Sequence, residues 1–137
     1  MVSREDLESY LIRMDLDYEE IDPGMFLVRG RNHGFPFVVH HDEALLLIRM
    51  KLMDMSETNE SRELFRRLLE LNASEVVHGA YGIEEDELII SDTLELETLD
   101  FHELQASMES IELAAATHME LIRDLAGAQA AAKGAED

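Results

Sequence analysis

The chain has 137 residues, 46% hydrophobic and 31% charged, which fits one domain with one core and argues against a disordered chain or a membrane protein. Its formal net charge of −20 repels nucleic acid and anionic lipid, and it favours a basic or neutral partner. It has no cysteine, which excludes disulfides, thiolate metal sites and cysteine catalysis.

The N-terminus and the longest apolar segment both argue against export and membrane insertion. Residues 1–6 contain no apolar stretch of signal-peptide length. Residues 44–53 are apolar-rich, but they include Arg49 and Lys51 and are too short to span a bilayer. The sequence therefore predicts a cytoplasmic protein.

The first elements are a short helix and a run of strands. Ser3 and Asp6 have the spacing of a capping box, and the apolar residues that follow at helical spacing predict a helix that ends near Met14. The turns at 22–24 and 31–34 then separate short apolar segments. We predict four strands joined as an antiparallel meander, at residues 18–21, 25–29, 35–41 and 44–53, with the last one central in the sheet.

A second helix follows a polar connector. Ser61 is a good N-cap, with Asn59 as a rival, and Asn72 is a suitable end. The apolar stripe of this helix is wider than one core contact needs. We therefore expect part of it to form a dimer or partner surface, for which the candidate residues are Leu64, Phe65, Leu68 and Leu69.

The last elements are a hairpin and a long helix. Residues 75–83 and 88–96 predict two strands joined by an acidic turn at 84–87, and glycines interrupt the first of them. Thr98 is expected to cap a helix whose apolar stripe continues to Leu125. We predict a domain over residues 1–126 and a flexible tail over residues 127–137, which have no large apolar side chain.

Segregated strands and helices predict an α+β fold, in which three helices pack on an antiparallel sheet in the order α-ββββ-α-ββ-α. The negative charge is concentrated in the second half of this fold. Residues 68–122 contain 14 acidic residues and no lysine or arginine, whereas residues 1–67 contain 14 acidic and nine basic residues. This asymmetry favours a basic or apolar polypeptide as the partner.

The sequence has no motif that indicates catalysis. There is no nucleophile elbow and no phosphate-binding loop, and no two histidines have the spacing of a zinc-protease motif. A metal site that His40 and His78 build from neighbouring strands stays an alternative. The eight methionines fit either core packing or a peptide groove. We expect no enzyme activity and no cofactor.

Residues 68–100 contain a predicted helix that ends in Leu71-Asn72, a glycine-containing strand at 77–83, an apolar strand at 88–91, and a Leu-x-x-Leu-Asp segment at 96–100. This pattern resembles the YbjN-type family and the related type III secretion chaperones. The earlier strands also suit YbjN-type proteins, so the resemblance covers residues 3–125. It implies a chaperone-like α+β fold, frequent dimers and protein binding without catalysis.

The leading hypothesis is a bacterial chaperone-like module or regulatory adaptor of the YbjN type. Its expected partner is a protein client of unknown identity, bound by a homodimer, with no role for nucleic acid or membrane. Two alternatives are a type III secretion chaperone proper and a sensor domain that binds a small molecule.

Overall fold

A computed structural model describes residues 1–30, 34–56 and 60–136 of the chain, with side chains through Gly127. Its helices and strands follow the predicted order, which confirms the α+β class. In chain order they are α1 (Arg4–Arg13), β1 (Asp17–Asp22), β2 (Met25–Arg29), β3 (Phe37–Asp42), β4 (Leu45–Asp54), α2 (Arg62–Ser74), β5 (Ala80–Glu84), β6 (Glu87–Glu95) and α3 (Phe101–Glu136).

The six strands form one antiparallel sheet in the order β1-β2-β3-β4-β6-β5. The meander is therefore confirmed, and β4 lies centrally between β3 and β6. β2 alternates between half-buried and buried positions, as expected for a sheet with one face on a core. The buried side chains of the strands and helices form one hydrophobic cluster, whose largest members include Phe26, Phe37, Leu46, Ile48, Met50, Leu88 and Ile90.

The N-terminus is tied to the sheet and to α1. The capping box is present, because the Asp6 N–H donates to Ser3 Oγ and the Ser3 N–H donates to Asp6 Oδ2, each at 3.0 Å. The bond from the Ser3 N–H to the carboxylate, followed by the effect of the Ser3 hydroxyl, lowers the pKa of Asp6. The Val2 N–H donates to the Leu96 carbonyl at 3.0 Å, and His41 Nε2 lies 2.8 Å from the Val2 carbonyl oxygen.

The segment after α2 differs from the predicted strand. Ser61 caps α2 as expected, since its Oγ accepts the Leu64 N–H at 3.0 Å. The helix passes Asn72 and ends at Ser74, and β5 begins only at Ala80, so residues 75–79 are not a strand. Gly79 explains the late start, because its φ of +90° breaks an extended run. The rival cap Asn59 and turn residues 31–33 lie outside the described residues.

The start of α3 also differs from the prediction. The helix begins at Phe101, and Asp100 Oδ1 accepts the Glu103 N–H at 2.8 Å, so Asp100 and not Thr98 supplies the cap. Leu99 is buried, which places residues 96–100 in a turn that inserts an apolar side chain into the core. The backbone of α3 continues through Glu136. The flexibility of residues 127–137 stays a prediction.

Candidate functional site

The four residues predicted as a partner surface do not share one environment. Leu64 and Leu68 fill the core, with exposed fractions of 0% and 6%. Phe65 is half-buried, and Leu69 is 69% exposed. Of these four residues, therefore, Phe65 and Leu69 reach the surface and Leu64 and Leu68 do not.

Phe65 and Leu69 belong to a larger apolar surface, which we call the α2–β5 patch. Its third large member is Ile83 on β5, with 46% of its surface exposed. Together with Asn72 and Gly82, these side chains line a shallow cavity of about 210 Å³. The patch lies at one edge of the sheet, because β5 is the last strand beyond β6.

Asn72 blocks part of that sheet edge. The Tyr81 N–H donates to Asn72 Oδ1 at 2.7 Å, and Asn72 Nδ2 donates to the Tyr81 carbonyl at 3.1 Å. The side-chain amide thus pairs with β5 as the backbone of a neighbouring strand would. This pairing satisfies two edge groups that would otherwise be open to another chain.

A chain of polar groups, of which Tyr81 and His118 are buried and Glu75 is exposed, joins β5 to α3 behind the patch. The Tyr81 hydroxyl lies 2.7 Å from His118 Nδ1 and 3.2 Å from the Ala114 carbonyl oxygen. On the other side of the ring, His118 Nε2 lies 2.9 Å from Glu75 Oε2. Burial of the hydroxyl, with a smaller effect of the Glu75 carboxylate, raises the pKa of Tyr81. The network holds the α2–β5 connection against α3.

A second surface runs beside α3, and we call it the α3 groove. It consists of two cavities of about 470 Å³ each, which share Glu109 and Glu112 as lining residues. One cavity lies between α3 and the segment before β3, and the other lies between α3 and the end of α1. The apolar lining side chains include Met14, Leu16, Phe35, Leu113, Ala116 and Met119.

Leu113 is the most prominent apolar side chain of the groove. It is 68% exposed, although Ile111 and Ala115, two positions before and after it on α3, are buried. Leu113 was not predicted as a site residue, because it lies outside the apolar stripe of α3. The signal that could have found it is a single leucine out of phase with that stripe.

The sheet face opposite the core carries a mixture of apolar residues and ion pairs. Met25, Leu27, Val38 and Leu47 on this face are half-buried, whereas Ile89, which pairs with Lys51, is buried. Ion pairs on this face join Arg49 to Glu84 at 3.1 Å and Lys51 to Glu87 at 2.6 Å and to Asp54 at 2.7 Å. Bonds to these two carboxylates raise the pKa of Lys51 to about 12.

The arrangement of histidines removes the alternative of a metal site between neighbouring strands. His40 lies on β3, whereas His78 precedes β5, and β4 and β6 separate these two strands. In the described part of the chain, no three acidic, histidine or cysteine side chains form a group that would hold a metal ion. Two methionines combine core packing with a place in a groove, since Met50 and Met119 are buried and also line the α3 groove.

The fold defined by these elements is that of the type III secretion chaperones. A chain of the heterodimeric ExoU–SpcU complex from the type III secretion system of Pseudomonas aeruginosa superposes with a TM-score of 0.66 at 13% identity, over 85% of this chain and 94% of that one. A chain of the Yersinia pestis complex between the secretion chaperone SycH and a fragment of YscM2 has a TM-score of 0.59 at 17% identity, over 81% and 94%.

The E. coli protein YbjN has the same fold, with a TM-score of 0.62 at 15% identity, over 85% of this chain and 93% of YbjN. At these identities the likeness is one of fold. The sequence itself matches the family model CesT_Tir_1, a type III secretion chaperone family, over residues 2–128. The chain belongs to this family. Among curated proteins, none matches it.

Proposed function

We propose that this chain is a non-catalytic, chaperone-like module that holds a segment of another polypeptide in the α3 groove. The observation that carries the proposal is the cavity of the groove between α3 and the segment before β3, whose lining is mainly apolar and includes the largely exposed Leu113. Apolar surface of this kind is costly in water and marks interaction sites in folded proteins. Membership of the CesT_Tir_1 family supports a polypeptide as the occupant.

The test is quantitative affinity purification from the native host with wild type and a Leu113→Asp variant. Because Leu113 is exposed, the variant should fold normally, which circular dichroism would verify. We expect one or a few proteins to be captured by wild type and depleted by the variant. Thr117→Asp is the matched control, since it adds the same charge at an exposed position of α3 that does not line the groove. Equal capture by all three proteins would refute the groove as the client site.

We further propose that two copies of the chain associate through the α2–β5 patch. Leu69 and Ile83 are exposed beside the half-buried Phe65, and the same patch on a second copy would cover them in an isologous dimer. Leu69→Asp is expected to give a monomer in light scattering coupled to size exclusion, whereas Leu113→Asp should leave the mass of the dimer unchanged. A wild-type monomer of 15.6 kDa at high concentration would exclude this dimer.

Two biological roles fit a cytoplasmic protein-binding module. The fold of YbjN, solved as a candidate transcription regulator, supports a regulatory adaptor, whereas the ExoU–SpcU and SycH structures support a chaperone for a secreted client. The identity of the captured protein decides between them. A secreted protein that leaves the cell only when this chain is present would establish the chaperone.

A small-molecule sensor is the second candidate function. Each cavity of the α3 groove has a volume of about 470 Å³, within the range of small-ligand pockets. A thermal-shift screen of metabolites tests this function. Strong stabilisation by one compound, abolished by Leu113→Asp and accompanied by no captured protein, would favour the sensor over the polypeptide-binding module.

A further inference from the structure

The α3 groove contains two carboxylates whose positions bear on the chemistry of its occupant. This inference rests on the proposed function. Glu109 and Glu112 lie one helical turn apart and line both cavities. Glu112 packs against the backbone, since a Cβ on Gly30 would lie 2.9 Å from Glu112 Oε2. Its carboxylate therefore lies close to the backbone at Gly30.

Glu109 is the accessible member of the pair. Its side chain is exposed, and it makes no hydrogen bond or ion pair with the described residues. Among the described lining residues the arginines are Arg13 and Arg123, and neither forms an ion pair with Glu109. Arg13 stacks on Phe101, with its guanidinium carbon 3.9 Å from the ring centroid. Arg123 is 14 residues beyond Glu109 along α3, which corresponds to about 21 Å.

An apolar segment that settles on Leu113 and Phe35 would exclude water from the neighbouring Glu109 carboxylate. Removing a carboxylate from water without a partner is unfavourable, and a cation in contact with it offsets that loss. An acidic segment would instead meet both glutamates and the net charge of −20. We propose that the α3 groove selects client segments that combine large apolar side chains with a lysine or arginine placed against Glu109.

The test is selection from a displayed library of random peptides on immobilised wild type, Glu109→Gln, Glu109→Lys and Leu113→Asp. Wild type is expected to enrich sequences that combine apolar residues with lysine or arginine. A synthetic peptide of the enriched class should bind Glu109→Gln about threefold to tenfold more weakly than wild type, the range of a partly exposed charge pair. Exchanging its basic residue for glutamate should restore binding to Glu109→Lys.

Glu120→Gln is the matched control, because Glu120 is an exposed glutamate of α3 outside the groove. Equal weakening by Glu109→Gln and Glu120→Gln would mean that total charge attracts the peptide, and it would overturn the proposed contact. Enriched peptides that depend on Leu113 but lack basic residues would overturn the selectivity and leave the proposed function standing. If wild type enriches no peptide relative to Leu113→Asp, the proposed function fails as well.

Discussion

The side-chain amide of Asn72 pairs with both backbone polar groups of Tyr81, at 2.7 Å to the N–H and 3.1 Å to the carbonyl oxygen. A residue of α2 thereby completes the hydrogen bonding of β5 at the edge of the sheet. The same two elements carry the α2–β5 patch. The geometry of that patch therefore depends on an interaction between residues nine positions apart in sequence.

Replacing Asn72 by alanine should destabilise the protein by about 1–3 kcal/mol, because two half-buried backbone groups of Tyr81 lose their partners. Urea unfolding followed by circular dichroism measures the change. The control is Ser74→Ala, which removes an exposed bond from Ser74 Oγ to the Glu70 carbonyl and should change stability by less than about 0.5 kcal/mol. If the two variants unfold at the same urea concentration, the Asn72 contact contributes nothing.

Gly79 and Gly82 should respond differently to alanine. Gly79 has a φ of +90°, and a Cβ there would lie 2.7 Å from the Ser91 carbonyl oxygen. Gly79→Ala should therefore cost about 1–3 kcal/mol. A Cβ on Gly82 meets nothing within 4 Å, so Gly82→Ala should be neutral within about 0.5 kcal/mol. Thermal unfolding of the two variants compares them, and equal midpoints would contradict the strain at Gly79.

The turn between β5 and β6 can be improved. Glu85 and Asp86 have φ values of +51° and +60°, which are the left-handed conformations of a type I′ hairpin turn. Asn-Gly is the preferred pair there, so the double change Glu85→Asn, Asp86→Gly should stabilise the protein by about 0.5–1 kcal/mol.

The control for this turn is Glu85→Gln, Asp86→Ser, which removes the same two charges but not the backbone strain. Urea unfolding of both double variants separates the two effects. Equal stabilisation would assign the gain to relief of charge repulsion within the acidic turn.

Tyr81 should make the fold sensitive to alkaline pH. Its folded-state pKa is raised above the ordinary value of 10.0, first by burial and then by the Glu75 carboxylate. The folded chain therefore retains a proton that the unfolded chain has lost above pH 10. This contribution to stability is complete below the unfolded pKa and is lost as pH rises beyond it.

Ultraviolet absorbance of tyrosinate, recorded together with circular dichroism, tests this behaviour. The chain has three tyrosines, and we expect Tyr81 to ionise only as the fold is lost. Tyr81→Phe should remove that last ionisation and weaken the pH dependence of urea unfolding above about pH 10. Complete ionisation of all three tyrosines in a chain that stays folded would contradict the buried Tyr81–His118 contact.

Much of the fold could be predicted because its signals are local. The capping box of Ser3 and Asp6, the Ser61 cap and the acidic turn at 84–87 depend on residues within a few positions of one another. The predicted strand at 75–83 was wrong only in its start, because apolar residues do not specify where strand pairing begins. The left-handed backbone at Gly79 and its close approach to Ser91 decide that point.

The candidate sites were less predictable, because exposure depends on partners distant in sequence. Leu68 and Leu69 are adjacent leucines in the same stripe, yet one is in the core and the other is 69% exposed. Their difference arises from how α2 is rotated against β5 and α3. The contacts of the buried His118 likewise come from Tyr81 and Glu75, 37 and 43 positions away in sequence.

The class of fold, the order of its elements and the acidity of the second half could be read from the sequence, because periodicity, capping and composition are properties of short segments. Which apolar side chains remain exposed, and which carboxylates lie beside them, depends on tertiary packing. Glu109 and Leu113 became parts of one groove because α3 packs beside α1 and the segment before β3. That packing is fixed by the shared core and not by the sequence of α3 alone.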